Sequence, residues 1–108
     1  RGLIHDPSLI LMDEPFAALD AMTREHMSLE LQSLWMKEQK SILFITHSIP
    51  EAVFLADRIV VLTDRPATIR EVITVDIPRP RRIETMSMPE FTEVTQHLRS
   101  LFVAPKAE

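Results

Sequence analysis

Apolar and polar positions alternate between two periods along the first half of the chain. Residues 9–12, "LILM", are a continuous apolar run of strand length. Pro7-Ser8 precede the run and Asp13-Glu14-Pro15 close it, so it predicts a short, fully buried strand. From residue 21 to about 39 the period becomes helical. Met27, Leu31, Leu34 and Trp35 fall at i, i+4, i+7 and i+8, one apolar stripe that predicts the core face of a helix. Asp20 stands where that helix needs an N-cap. Residues 41–46, "SILFIT", are a second strand-length run. Ser48-Ile-Pro-Glu51 has the spacing of a capping box and predicts a helix over 49–56. Proline is tolerated in its first turn, where an N–H has no intrahelical partner. Residues 58–63, "RIVVLT", are a third run. Strand, helix, strand, helix, strand, with runs apolar on both faces, predicts an α/β fold: a parallel sheet covered on both sides.

The pattern then changes. Asp64-Arg65-Pro66 marks a turn, and 68–77, "TIREVITVDI", reads as an extended strand. "PRPRR", 78–82, reads as a stiff, basic, solvated linker. Ser87-Met-Pro-Glu90 offers another capping box. Phe91, Val94, Leu98, Leu101 and Phe102 then follow at helical spacing, which predicts an amphipathic helix over 88–102.

Composition narrows the function classes. The 108 residues carry a net charge of −4, so the total gives no electrostatic argument for nucleic acid or an anionic membrane. There is no cysteine, hence neither a disulfide framework nor a thiolate metal site. No apolar run approaches the roughly 20 residues that span a bilayer. The single glycine, Gly2, decides more. A glycine-rich phosphate cradle cannot be built from these residues. With a first residue other than methionine, this leads us to expect a piece of a longer chain.

Candidate chemistry gathers at the strand tips. An isolated ionised carboxylate in a low-dielectric interior is costly unless paired, hydrogen-bonded or bound to a metal. Asp13 and Glu14 directly after "LILM" therefore place negative charge where a buried strand emerges. In parallel α/β sheets ligands bind outside the carboxyl ends of the strands. His47, in "ITHS", follows the next strand and would share that rim. A carboxylate there can hold Mg²⁺, directly or through water, and Mg²⁺ commonly arrives with phosphates. A second carboxylate can orient and deprotonate a water. An imidazole N–H can contact a phosphate oxygen. Those parts make an NTPase half-site. His5, His26 and His97 lack such a context and read as structural.

On these residues the chain resembles the ATP-binding cassette (ABC) ATPases. "LILMDEP" resembles their Walker B motif, "FAALD" their D-loop and "ITHS" their switch-histidine loop, in the family's order and spacing. "RGLIHDPSLI" is similar to the end of the helix after the ABC signature. "SIPEAVFLADRIVVL", "RP" and "VDIPRPR" are similar to the ATPase subunits of nitrate, sulfonate and taurine importers. Ala17 departs from a common D-loop serine and Ser48 from a common aspartate. Walker A, Q-loop and signature segments, which precede Walker B in the family, are absent from these residues.

The resemblance implies the C-terminal part of a P-loop NTPase (RecA-like) domain, with an extended strand and a C-terminal helix following the parallel core. It implies domain portions at 1–77, a basic Pro-containing linker at 78–87, and a helix and tail at 88–108. It implies ATP and Mg²⁺ as ligands. Asp13 would bind Mg²⁺, Glu14 would be the general base, His47 would contact the γ-phosphate, and Asp20 would lie in the loop that reaches the opposite subunit. The partners implied are a second ATPase subunit, membrane-spanning permease subunits and, indirectly, a solute-binding protein, with no nucleic acid. The place implied is the cytoplasmic face of the bacterial inner membrane, peripherally bound. Two other functions fit the same motifs. One is an ABC-type ATPase of DNA repair or chromosome organisation. The other is a noncatalytic ABC-derived interaction module.

Overall fold

The computed structural model describes residues 9–38, 40–62 and 68–102. The "RGLIHDPS" segment, His5, the predicted helix end at residue 39, the Asp64-Arg65-Pro66 turn and the last six residues lie outside them. The elements run β1 (Leu9–Asp13), α1 (Ala21–Glu38), β2 (Ser41–Ile45), α2 (Ile49–Leu55), β3 (Arg58–Leu62), β4 (Ile69–Thr74), a 3₁₀ helix (Ile83–Ser87) and α3 (Pro89–Phe102). The chain divides into two compact units, Arg1–His47 and Ser48–Glu108.

In the first unit β1 and β2 pair in parallel, with Leu9 opposite Ser41 and Asp13 opposite Ile45. The expected parallel sheet is thus reduced to two strands, and it is not covered on both sides. Ile10, Met12, Ile42 and Phe44 are half-buried, whereas Leu9, Leu11, Leu43 and Ile45 are exposed, Leu11 at 62%. Strand alternation sends these two sets to opposite faces. The unit has one long helix among its described residues, and one helix can cover at most one face.

Helix α1 starts where Asp20 predicts it. Its buried residues are Ser28, Leu31 and Gln32, with Trp35 half-buried. The expected stripe of Met27, Leu31, Leu34 and Trp35 is therefore rotated. Leu31 and Trp35 belong to both sets, but Met27 and Leu34 are exposed along one side of the buried strip. Where only a narrow face is covered, serine and glutamine fit it and flexible apolar side chains can lie at its margin.

In the second unit β3 pairs with β4, and the pairing is antiparallel, with Val60 opposite Val72. The third apolar run was expected to continue a parallel sheet. A parallel neighbour needs a long crossover, whereas β4 follows β3 closely in sequence and can pair with it as a hairpin. Helix α2 is capped as its sequence predicts: the Glu51 N–H donates to Ser48 Oγ at 3.4 Å. Val53 and Phe54 are completely buried. Helix α3 buries Phe91, Thr95 and Leu98 and packs against α2 and the 3₁₀ helix. Arg70 Nη1 donates to the Leu101 carbonyl at 2.8 Å, at the end of α3. His97 Nε2 lies 2.7 Å from Glu71 Oε2. Ser87 does not cap α3. It closes the 3₁₀ helix, and Pro89 takes the first position of α3, where its missing N–H costs nothing.

The basic stretch after β4 departs furthest from expectation. Arg81 is 1% exposed. Its Nη1 donates to the carbonyls of Val53, Phe54 and Ala56, at 3.2, 3.2 and 2.6 Å. Its Nη2 donates to Val75 and Ile77, and its Nε also to Ile77. A helix leaves its last carbonyls unsatisfied, and α2 has no basic residue in its own last turn. Arg81 and Arg79, which donates to the Leu55 carbonyl and to Asp57, supply the missing donors from about 25 residues downstream. Burial, and then the neighbouring Arg79 charge, push the Arg81 guanidinium down to about 10, so it stays cationic at neutral pH.

Candidate functional site

The parallel register brings the carboxyl ends of β1 and β2 to one rim. Glu14 follows β1 with φ of 49°, in the left-handed region that a non-glycine residue enters at a cost. Its N–H donates to the Ile45 carbonyl at 2.7 Å, one rung beyond the strand pairing. The left-handed residue and Pro15 together end the strand and turn the chain. His47 leaves β2 two residues after Ile45, and its Nε2 lies 3.0 Å from Glu14 Oε2. The glutamate side chain is 36% exposed and the imidazole 87%. A carboxylate and an imidazole in contact at a strand rim, both reachable by water, can orient a water molecule and take its proton.

Asp13, the last residue of β1, is exposed on the face that also carries Leu9 and Leu11. Asp20 caps α1: Thr23 N–H donates to its Oδ1 at 2.8 Å. The structure therefore joins Glu14 to His47, while among the described residues neither Asp13 nor Asp20 hydrogen-bonds to that pair. No group of three or more His, Cys, Asp or Glu side chains suited to a metal occurs among the described residues. An exposed aspartate beside a second carboxylate does fit Mg²⁺, which takes one or two carboxylates and completes its shell with water and phosphate. It does not fit a metal held wholly by protein.

Two residues that the sequence pattern did not single out shape the loop at 14–20. Phe16 is buried and its ring centroid lies 5.5 Å from that of Phe44 in β2. Arg24 donates from Nε to the Leu19 carbonyl at 3.1 Å and from Nη2 to the Ala17 carbonyl at 2.9 Å. One signal was available. A cation near a helix N-terminus opposes the helix dipole, and the first turn of α1 holds no acidic residue beyond the Asp20 cap before it.

The cap makes a pH prediction. The hydrogen bond from the Thr23 N–H holds the Asp20 carboxyl below the usual carboxylate range. A depressed carboxylate stabilises the fold above its unfolded value, and that contribution is lost as pH falls through the folded value. The start of α1 should therefore fray on acidification as pH falls below the ordinary carboxylate range. The Thr23 amide proton shift, followed by NMR, should move with Asp20 titration and lose that dependence in Asp20→Asn.

No family profile matches the chain. Individual proteins do. An uncharacterized ABC transporter ATP-binding protein of Methanocaldococcus jannaschii is 50% identical over 91 residues, which cover 84% of this chain and 34% of that protein. The chain is a homologue of ABC transporter ATP-binding proteins. Aliphatic sulfonates import ATP-binding protein SsuB of Bacillus licheniformis is 41% identical over 96 residues, 89% of this chain and 36% of its own length. SsuB of Bacillus cereus is 41% identical over 90 residues, 83% and 36%. The chain thus spans about a third of the length of the curated relatives it matches. The homology points to part of a P-loop NTPase, here with α/β elements and a two-stranded parallel pair. No described helix is long and apolar enough to cross a membrane.

Proposed function

We propose that these residues form the Walker B, D-loop and switch-histidine part of an ATP-hydrolysing subunit that energises a bacterial ABC importer. The observation that carries the proposal is the 3.0 Å contact of Glu14 with His47 at the carboxyl ends of two parallel strands. Homology to ABC transporter ATP-binding proteins supports it. The two relatives named for aliphatic sulfonates import favour an importer of the nitrate, sulfonate and taurine kind.

In this reading Glu14 accepts a proton from the attacking water. The water oxygen bonds to the terminal phosphorus, and the bond from that phosphorus to the bridging oxygen breaks. His47 donates from its ring to an oxygen of the terminal phosphate. Asp13 would hold Mg²⁺ through water, and that ion would supply positive charge against the phosphates of the nucleotide. The loop that ends at Asp20 faces a second ATPase subunit, while Asp20 also caps α1. The permease subunits and, indirectly, a solute-binding protein complete the assembly on the cytoplasmic face of the inner membrane. The ATPase portion ends near residue 77, and the stretch after it packs onto α2 through Arg81 and α3 instead of serving as a free linker.

The backbone N–H cradle and lysine that position phosphates are central to phosphoryl transfer, and one glycine cannot build that cradle. The 108-residue chain alone is therefore expected to turn over no Mg·ATP above a Glu14→Gln control. The direct test is a chimera in which residues 9–102 replace the matching segment of B. licheniformis SsuB. We expect it to bind ATP and release phosphate. A well-folded chimera that binds ATP without hydrolysing it would favour a noncatalytic module.

A further inference from the structure

We propose that Arg24 is a positioning residue for Glu14, an assignment that rests on the reading of Glu14 as the general base. The observations form a chain of hydrogen bonds. On one side, the Glu14 N–H donates to the Ile45 carbonyl. On the other, the Glu14 carbonyl accepts from the Ala17 N–H at 3.2 Å. The Ala17 carbonyl accepts from Arg24 Nη2, and the Leu19 carbonyl from Arg24 Nε. Leu19 N–H in turn donates to the Phe16 carbonyl at 3.0 Å. Arg24 itself is fixed by α1, since its own N–H donates to the Asp20 carbonyl at 2.9 Å.

Two physical arguments give this network its role. A non-glycine residue at φ of 49° persists only where its surroundings over-determine it. The Ile45 carbonyl fixes Glu14 from the sheet, and the Ala17 turn fixes it from the loop. The planar guanidinium ties that turn to the helix, because its rigid fork reaches two carbonyls two residues apart with less ordering than a flexible ammonium needs. In addition, a cation here works against the helix dipole. The loop carbonyls it reaches give its position a role despite that cost. The Glu14 carboxylate meets His47 because the loop behind it is held.

The test uses the 108-residue chain and needs no nucleotide, so it stands apart from the ATPase reading. Arg24→Gln and Arg24→Lys are compared with the parent by NMR. The readouts are the cross-relaxation between the His47 ring and the Glu14 side chain, and amide exchange at Ala17, Leu19 and Leu31. In Arg24→Gln the His47–Glu14 cross-peak should be lost and exchange at Ala17 and Leu19 should rise about tenfold, the size expected for losing charge-assisted bonds. Exchange at Leu31, inside α1, should stay as in the parent. Arg24→Lys should recover part of the cross-peak. A cross-peak unchanged in Arg24→Gln overturns the proposal. So does its loss together with faster exchange at Leu31, which would make Arg24 a residue of general helix stability. If the positioning result holds and the SsuB chimera does not hydrolyse ATP, the reading of the catalytic site fails and the placement of Glu14 by Arg24 remains.

Discussion

Glu14→Gln should lower ATP turnover by the SsuB chimera by about two to four orders of magnitude, the range of a positioned general base. Nucleotide binding should be largely kept. The amide is nearly isosteric with the carboxylate and can still meet His47, but it cannot accept the proton of the attacking water. Asp13→Asn should behave differently, because on the proposed assignment it removes the charge that would face Mg²⁺. Its binding of ATP should lose dependence on Mg²⁺ concentration. Single-turnover phosphate release and nucleotide affinity, measured for both variants, separate the two roles. Equal loss of binding in both would contradict the division of labour between neighbouring carboxylates.

The largest stability effect should come from Arg81→Ala. Five carbonyls, those of Val53, Phe54, Ala56, Val75 and Ile77, accept from this one buried side chain. Truncation leaves them facing a space that no other donor fills. Each buried acceptor left without its donor costs about 1–3 kcal/mol, against a total stability of about 5–15 kcal/mol for an ordinary domain. The second unit should therefore unfold at much lower urea than the parent. Arg79→Ala should cost less, because among the carbonyls at the end of α2 it reaches that of Leu55 and its Asp57 partner is mostly exposed. Urea titrations followed by amide protection in α2 test the contrast. Comparable midpoints for the two variants would show that Arg81 is not the residue that holds α2 to the strand end at 75–77.

Much of this was legible in the sequence because it depends on local periodicity. The runs at Leu9 and Ser41, the helical spacing after Asp20 and the Ser48 cap all follow from side-chain period and capping chemistry. The meeting of Glu14 and His47 was legible because both residues follow strands, and parallel pairing sends strand ends to one rim. What was not legible depends on partners remote in sequence. "RIVVL" carries no mark that distinguishes a parallel neighbour from the antiparallel β4. "PRPRR" has the composition of a solvated linker, and the burial of its Arg81 follows from the unsatisfied carbonyls at the end of α2, which composition does not register. Met27 and Leu34 lie outside the buried strip of α1 because periodicity gives a stripe but not the width of the surface that covers it. Arg24 escaped notice because its partners are backbone carbonyls, which every residue has.

On the proposed function, the tips of β1 and β2 receive the terminal phosphate of ATP. A crystal structure of the Glu14→Gln chimera with Mg·ATP tests it most directly. The terminal phosphate should lie outside the carboxyl ends of these strands, with the His47 imidazole hydrogen-bonded to one of its oxygens. The residue 14 amide should lie against a water in line for attack, and Asp13 should be linked to the Mg²⁺ through water. A nucleotide whose phosphates lie away from these strand ends, with His47 and residue 14 in contact only with each other, would contradict it.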